Sequence, residues 1–192
     1  MNNFSYSLFP SDNESYVFMV ASNGFLGKSI RFFMRIKNKW LNKSTSNLVN
    51  HADLYMNGSV IGAIADGIVS KSLSGMYDDG CKRKIYIYRI PLYIEDKVVL
   101  QHYISSKIGT PYEYSNLFNH IYRILYMILF GKEKWLGHTH SHARYRYFCS
   151  EFVSTALTEV IPGFSKSPWD DDPMDLKELC DKKLIYVKSI KF

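Results

Sequence analysis

Asn57-Gly58 sits between two extended apolar segments, His51 to Met56 and Ser59 to Ala65, and it limits the fold more than any other stretch of the chain. Both central residues of a type I′ turn need positive φ, which Asn and Gly tolerate best, so the pair predicts a tight β-hairpin. Counting outward sets Met56 opposite Ser59, Asp53 opposite Gly62 and His51 opposite Ile64. Alternation along the strand then puts His51, Asp53 and Tyr55 on one face.

Other strands are legible at Tyr16 to Ala21, Ile68 to Leu73, Lys84 to Ile90 (ended by Pro91) and Leu184 to Val187. Helical spacing predicts helices over Phe25 to Trp40, Glu95 to Ile108, Tyr114 to Phe130 and Cys149 to Val160, with a shorter one from about Pro173. In the first of these, Ile30, Phe33, Met34 and Lys37 recur at helical spacing. Gly131 is placed as the C-cap of the third, and Pro162-Gly163 stops the fourth. Residues 131–147 lack periodicity and read as an exposed loop. There is no internal repeat and no dividing linker, so 192 residues make a single α+β domain, 1–192, with 1–15 at its periphery.

Aromatic residues reach 16% and apolar ones 46%, enough to fill a core and to exclude a disordered chain. Lysine and arginine outnumber acids 24 to 18, and the excess gathers in Lys28 to Lys43. A solvated helix face is the simpler reading of that stretch; contact with a polyanion is the sharper one, although no nucleic-acid motif accompanies it and no nucleic-acid partner is expected. Three widely separated cysteines do not make a disulfide framework and suit a reducing compartment. The start lacks a basic, then apolar, signal pattern, and the apolar run ILYMILF is far short of a membrane span, so a soluble, cytoplasmic location is expected.

Cys149 stands where a helix should begin. A helix N-terminus or a nearby imidazolium lowers a thiol's pKa, and the N–H groups of Cys149 and Ser150 lie in the first turn, where they could hold an oxyanion. A nucleophile needs a base, and His51 begins a strand expected to face that helix. On these residues alone Cys149 is either a packed core residue or a nucleophile.

His51-Ala52-Asp53-Leu54-Tyr55 before a tight turn, then Gly109-Thr110-Pro111-Tyr112, then Phe148-Cys149-Ser150-Glu151-Phe152-Val153, then Pro173-Met174-Asp175-Leu176, come in an order that resembles the circularly permuted branch of the NlpC-type papain-like superfamily. That branch includes YiiX-like proteins and relatives of lecithin retinol acyltransferase. The resemblance implies a permuted papain-like fold with an antiparallel sheet or half-barrel against the Cys-bearing helix. It also implies Cys149 as nucleophile, His51 as general base and Tyr112 framing the cleft, with no cofactor or metal. Its substrates would be a peptide, a cell-wall peptide or a lipid. The chain departs from the family at Gly62, where a polar third residue usually stands.

Asp53, on the face of His51 and across from Gly62, is a candidate to replace that residue; the alternative is a surface carboxylate beside a turn. Asp66 is a second candidate. Without any such partner the domain would be a catalytically impaired binding protein. His138, His140 and His142 alternate and could share a face toward a metal or the site, or simply be solvated. The helix from Tyr114 to Phe130 is apolar enough for core packing, an acyl-chain groove or peripheral membrane contact.

Overall fold

The structure, a computed structural model, describes residues 13–131 and 146–191. In chain order its elements are β1 (Tyr16–Ser22), α1 (Phe25–Trp40), β2 (His51–Met56), β3 (Ser59–Ile64), β4 (Gly67–Lys71), α2 (Leu73–Tyr77), β5 (Arg83–Arg89), α3 (Ile94–Lys107), α4 (Tyr114–Phe130), α5 (Cys149–Val160), α6 (Pro173–Lys183) and β6 (Ile185–Lys191), with a 3₁₀ turn at Pro168–Asp170. The fold is α+β. Six strands form one sheet in the order β4-β3-β2-β1-β5-β6, and every neighbouring pair runs antiparallel.

The hairpin is as the turn chemistry requires: Asn57 and Gly58 have φ of 50° and 76°, and the register pairs Met56 with Ser59 and Asp53 with Gly62. α1, α4 and α5 begin and end where their periodicity put them. Gly131, at φ 66°, closes α4 by donating its N–H to the Met127 carbonyl. β6 runs four residues further than its apolar run suggested, because pairing with β5 carries the polar end through to Lys191.

Each face of the sheet has its own core. On one face Val17, Met19, Ala52, Leu54 and Ile61 pack with Phe152, Val153, Ala156 and Leu157 of α5. On the other, Tyr16, Phe18, Val20, Tyr55, Val60, Ile85 and Ile87 pack with Tyr77, and Leu73 and Met76 of α2 join them. α2 was not legible in the sequence. It is capped by Ser72, whose hydroxyl accepts from the Gly75 N–H, and it covers the face that α5 leaves open.

The basic stretch 28–43 is only partly a solvated face. Lys37 points inward and its ammonium reaches Asp172 at 2.5 Å and Asp175 at 2.8 Å, while Lys43 pairs with Glu178. Asp172 also caps α6, accepting from the Met174 and Asp175 N–H groups ahead of Pro173. Thus Pro173-Met174-Asp175-Leu176 joins α6 to α1. Burial, with the neighbouring Asp172 next, pushes the Asp175 carboxyl up to about 6 against the pull of Lys37.

Candidate active site

His51 is the first residue of β2, at the end of the strand, and its side chain is 21% exposed. Its Nε2 lies 2.8 Å from Asp53 Oδ1. Asp53 is completely buried, which overturns the reading of it as a surface carboxylate. The space for it comes from Gly62: a Cβ built there would lie 1.8 Å from Asp53 Oδ1. Gly62 is therefore the residue that admits the carboxylate. Asp66, by contrast, is exposed in the turn between β3 and β4.

His51, Asp53 and Tyr55 share one face, as alternation predicts, and β2 packs against α5. Ala52, Leu54 and Met56 turn toward the α5 side, whereas Tyr55 joins the opposite core and Asp53 bonds to Tyr77 there. His51 meets Cys149 at the strand's end and not across the sheet face. Tyr77 is a site residue that sequence reading missed. Its hydroxyl donates to Asp53 Oδ2 at 2.6 Å, and burial first, then the Asp53 charge, pushes its pKa far above the usual range, so it stays a donor. Tyr77 is itself held by Arg83, which donates to the Tyr77 carbonyl and stacks over its ring. We expect Tyr77→Phe, which strands a buried carboxylate oxygen, to cost about 1–3 kcal/mol in chemical denaturation; an unchanged midpoint would show that the bond carries no weight.

The His51 pKa is the balance of opposed effects. Burial lowers it, but the charges of Asp53 and Cys149 and hydrogen bonds to both outweigh burial and hold it well above the ordinary histidine value. With Nε2 committed to Asp53, Nδ1 is the nitrogen left for the thiol. Tyr112 also faces Cys149: burial, then the cysteine's charge, raises its hydroxyl far above the ordinary tyrosine value and keeps it a donor.

The segment before Cys149 is fixed by a bridge. Tyr147 pairs in parallel with Tyr112, its carbonyl accepting from the Glu113 N–H. Gly109 and Thr110 are in turn bonded to Ile68 of β4, and Gly67, at φ 104°, leaves no room there for a side chain against the Thr110 carbonyl. Gly109-Thr110-Pro111-Tyr112 thus ties the sheet edge to the start of α5.

Cys149 is nearly buried, yet it opens on a cavity of about 470 Å³ that it shares with His51, Tyr77, Tyr112 and Tyr114. Apolar walls come from Val20, Ile30, Ile64 and Met76, with Lys71, Asp79 and Arg83 among the lining residues. Ser150 is fully buried and is not among the residues that line the cavity. His138, His140 and His142 lie outside the described residues. Among the described residues no three His, Cys, Asp or Glu side chains gather as a metal site. No protein-family model, curated protein or solved structure matches the chain.

Proposed function

We propose that the chain is a cysteine hydrolase or acyltransferase of permuted papain-like type. The observation that carries this reading is the ordered series Cys149, His51, Asp53, Tyr77, in which each member has a partner and a glycine makes room for the carboxylate. Cys149 attacks an amide or ester carbonyl, forming a C–S bond while the carbonyl electrons move to oxygen. N–H groups in the first turn of α5 hold that oxyanion. His51, as imidazolium, gives its proton to the departing amine or alcohol and leaves a thioester. Water or another acceptor then attacks the thioester, His51 takes its proton, and the thiolate leaves. Asp53 holds the ring in position, and Tyr112 frames the cleft. A peptide, a cell-wall peptide or a lipid acyl group fits this chemistry.

Alkylation by iodoacetamide near neutral pH, mapped by mass spectrometry, tests the reading. Cys149 is expected to react about tenfold or more faster than Cys81, and His51→Ala to abolish the difference. A Cys149 no faster than Cys81 would instead favour a binding protein that keeps the fold without turnover.

A further inference from the structure

Two neighbouring helices on this molecule carry no carboxylate at all: neither α1 (FLGKSIRFFMRIKNKW) nor α4 (YSNLFNHIYRILYMILF) contains Asp or Glu. They pack against each other. On α1 the outward stripe is Lys28, Phe32, Arg35 and Lys39, spaced four, three and four residues apart, and Phe32 is 59% exposed in the midst of those cations. On α4, Leu129 is 73% and Phe130 61% exposed, with Leu125 exposed one turn before Leu129. Among the described residues, Lys37 is the α1 cation that carboxylates neutralise, and it points inward.

We propose that α1 and α4 form a docking face for an anionic lipid bilayer. The charge pattern commits the face to that occupant. Cations flanking exposed aromatic and aliphatic side chains match a surface of anionic headgroups over hydrocarbon. A nucleic acid would use the cations and leave Leu129 and Phe130 in water. Two other exposed apolar stretches differ: Tyr93, Ile94 and Val98 adjoin Glu95 and Asp96, which an anionic surface repels, and Ile185, Tyr186 and Val187 lie on β6, an edge strand of the sheet and away from the cavity lining. Among the described residues no helix is long and apolar enough to cross a membrane, and the contact proposed is with the surface of one leaflet.

Position adds a second argument. Gly27 and Ile30 of α1 and Tyr114, the first residue of α4, line the cavity that holds Cys149. Both helices start at the cavity, so docking along them brings its mouth to headgroup level. The face stands whether or not Cys149 turns over a substrate.

Cosedimentation of the full chain with vesicles decides the matter. The protein is expected to bind vesicles of phosphatidylcholine and phosphatidylserine in equal parts and not phosphatidylcholine alone. Raising salt from about 0.1 M to about 0.5 M should weaken binding roughly tenfold or more, because the screening length shortens about twofold and cations of the solution compete for the headgroups. Joint replacement Lys28→Glu, Arg35→Glu, Lys39→Glu should weaken it about a hundredfold, and Arg35→Glu alone, available if the triple variant does not fold, about tenfold. Phe32→Ser with Leu129→Ser should weaken it about tenfold. Equal binding to neutral vesicles, or indifference to the charge reversals, would overturn the proposal. So would duplex DNA binding as tightly as the vesicles without regard to Phe32 and Leu129, which would make the face a polyanion site.

Discussion

Gly62→Ala is expected to reduce turnover by roughly 10³- to 10⁴-fold, the scale on which a catalytic histidine loses its orienting carboxylate. One methyl group has this effect because its carbon would sit 1.8 Å from Asp53 Oδ1, and the carboxylate must swing out of its site. Gly62 has no positive φ, so the backbone accepts alanine. The accompanying loss of stability should therefore be the ordinary cost of crowding a core, about 1–3 kcal/mol. The decisive measurement is a double-mutant cycle with Asp53→Ala. If Gly62 acts only by leaving room for Asp53, the double variant is no slower than Asp53→Ala, and additive losses would refute the link.

The same variants should change the pH profile. Asp53 helps to hold the His51 pKa well above its ordinary value, and the imidazolium is lost as pH rises through that value. The alkaline limb of activity therefore falls to lower pH in Gly62→Ala and in Asp53→Ala. An unmoved limb would assign it to some other group.

Lys37→Met is expected to destabilise the fold by about 3–5 kcal/mol, chiefly the cost of leaving the buried Asp172 without its cation, since Asp175 is partly exposed and keeps Lys43 nearby. Asp172 and Asp175 face the lysine from α6, and Asp172 must stay ionised to cap that helix well. The loss should shrink on acidification. The Asp175 carboxyl is already raised to about 6 in the folded protein, so its contribution to stability is complete below the unfolded value of 3.8 and is lost as pH rises through 6. Removing Lys37, which pulls that value down, raises it further. Urea titrations at pH 5 and pH 8 check the sign: a defect as large at pH 5 as at pH 8 would contradict the assignment.

Much of the site was legible because it rests on local rules. Asn57-Gly58 set the register, the register put Asp53 opposite Gly62, and alternation put Asp53 beside His51. Cys149 was found because a polar-to-apolar switch marks where α5 begins. Tyr77 escaped because α2 is only five residues long, too short for periodicity to register, and because its partner lies 24 residues upstream. Ser72, a helix N-cap, was the only local signal. Lys37 stood at the spacing of Ile30, Phe33 and Met34, and that position was the visible sign of its burial. The charge of the surrounding stretch suggested solvent instead. The partners that reverse the reading are about 135 residues away, and no local pattern announces them. β1 runs between β2 and β5, a topology that short-range signals do not encode.

The meander β2-β3-β4 closes on itself through two tight turns, whereas the strands and helices that complete the molecule make distant contacts. Contact-order reasoning has such a local unit form quickly, and closures over about a hundred residues form late. The imidazole therefore meets its carboxylate in a short segment made early on the ribosome. The thiol arrives only after α5 has been synthesised and docked. On the function proposed above, the incomplete chain is thereby spared a reactive sulfur, and a gain in Cys149 reactivity during refolding would time the last docking step.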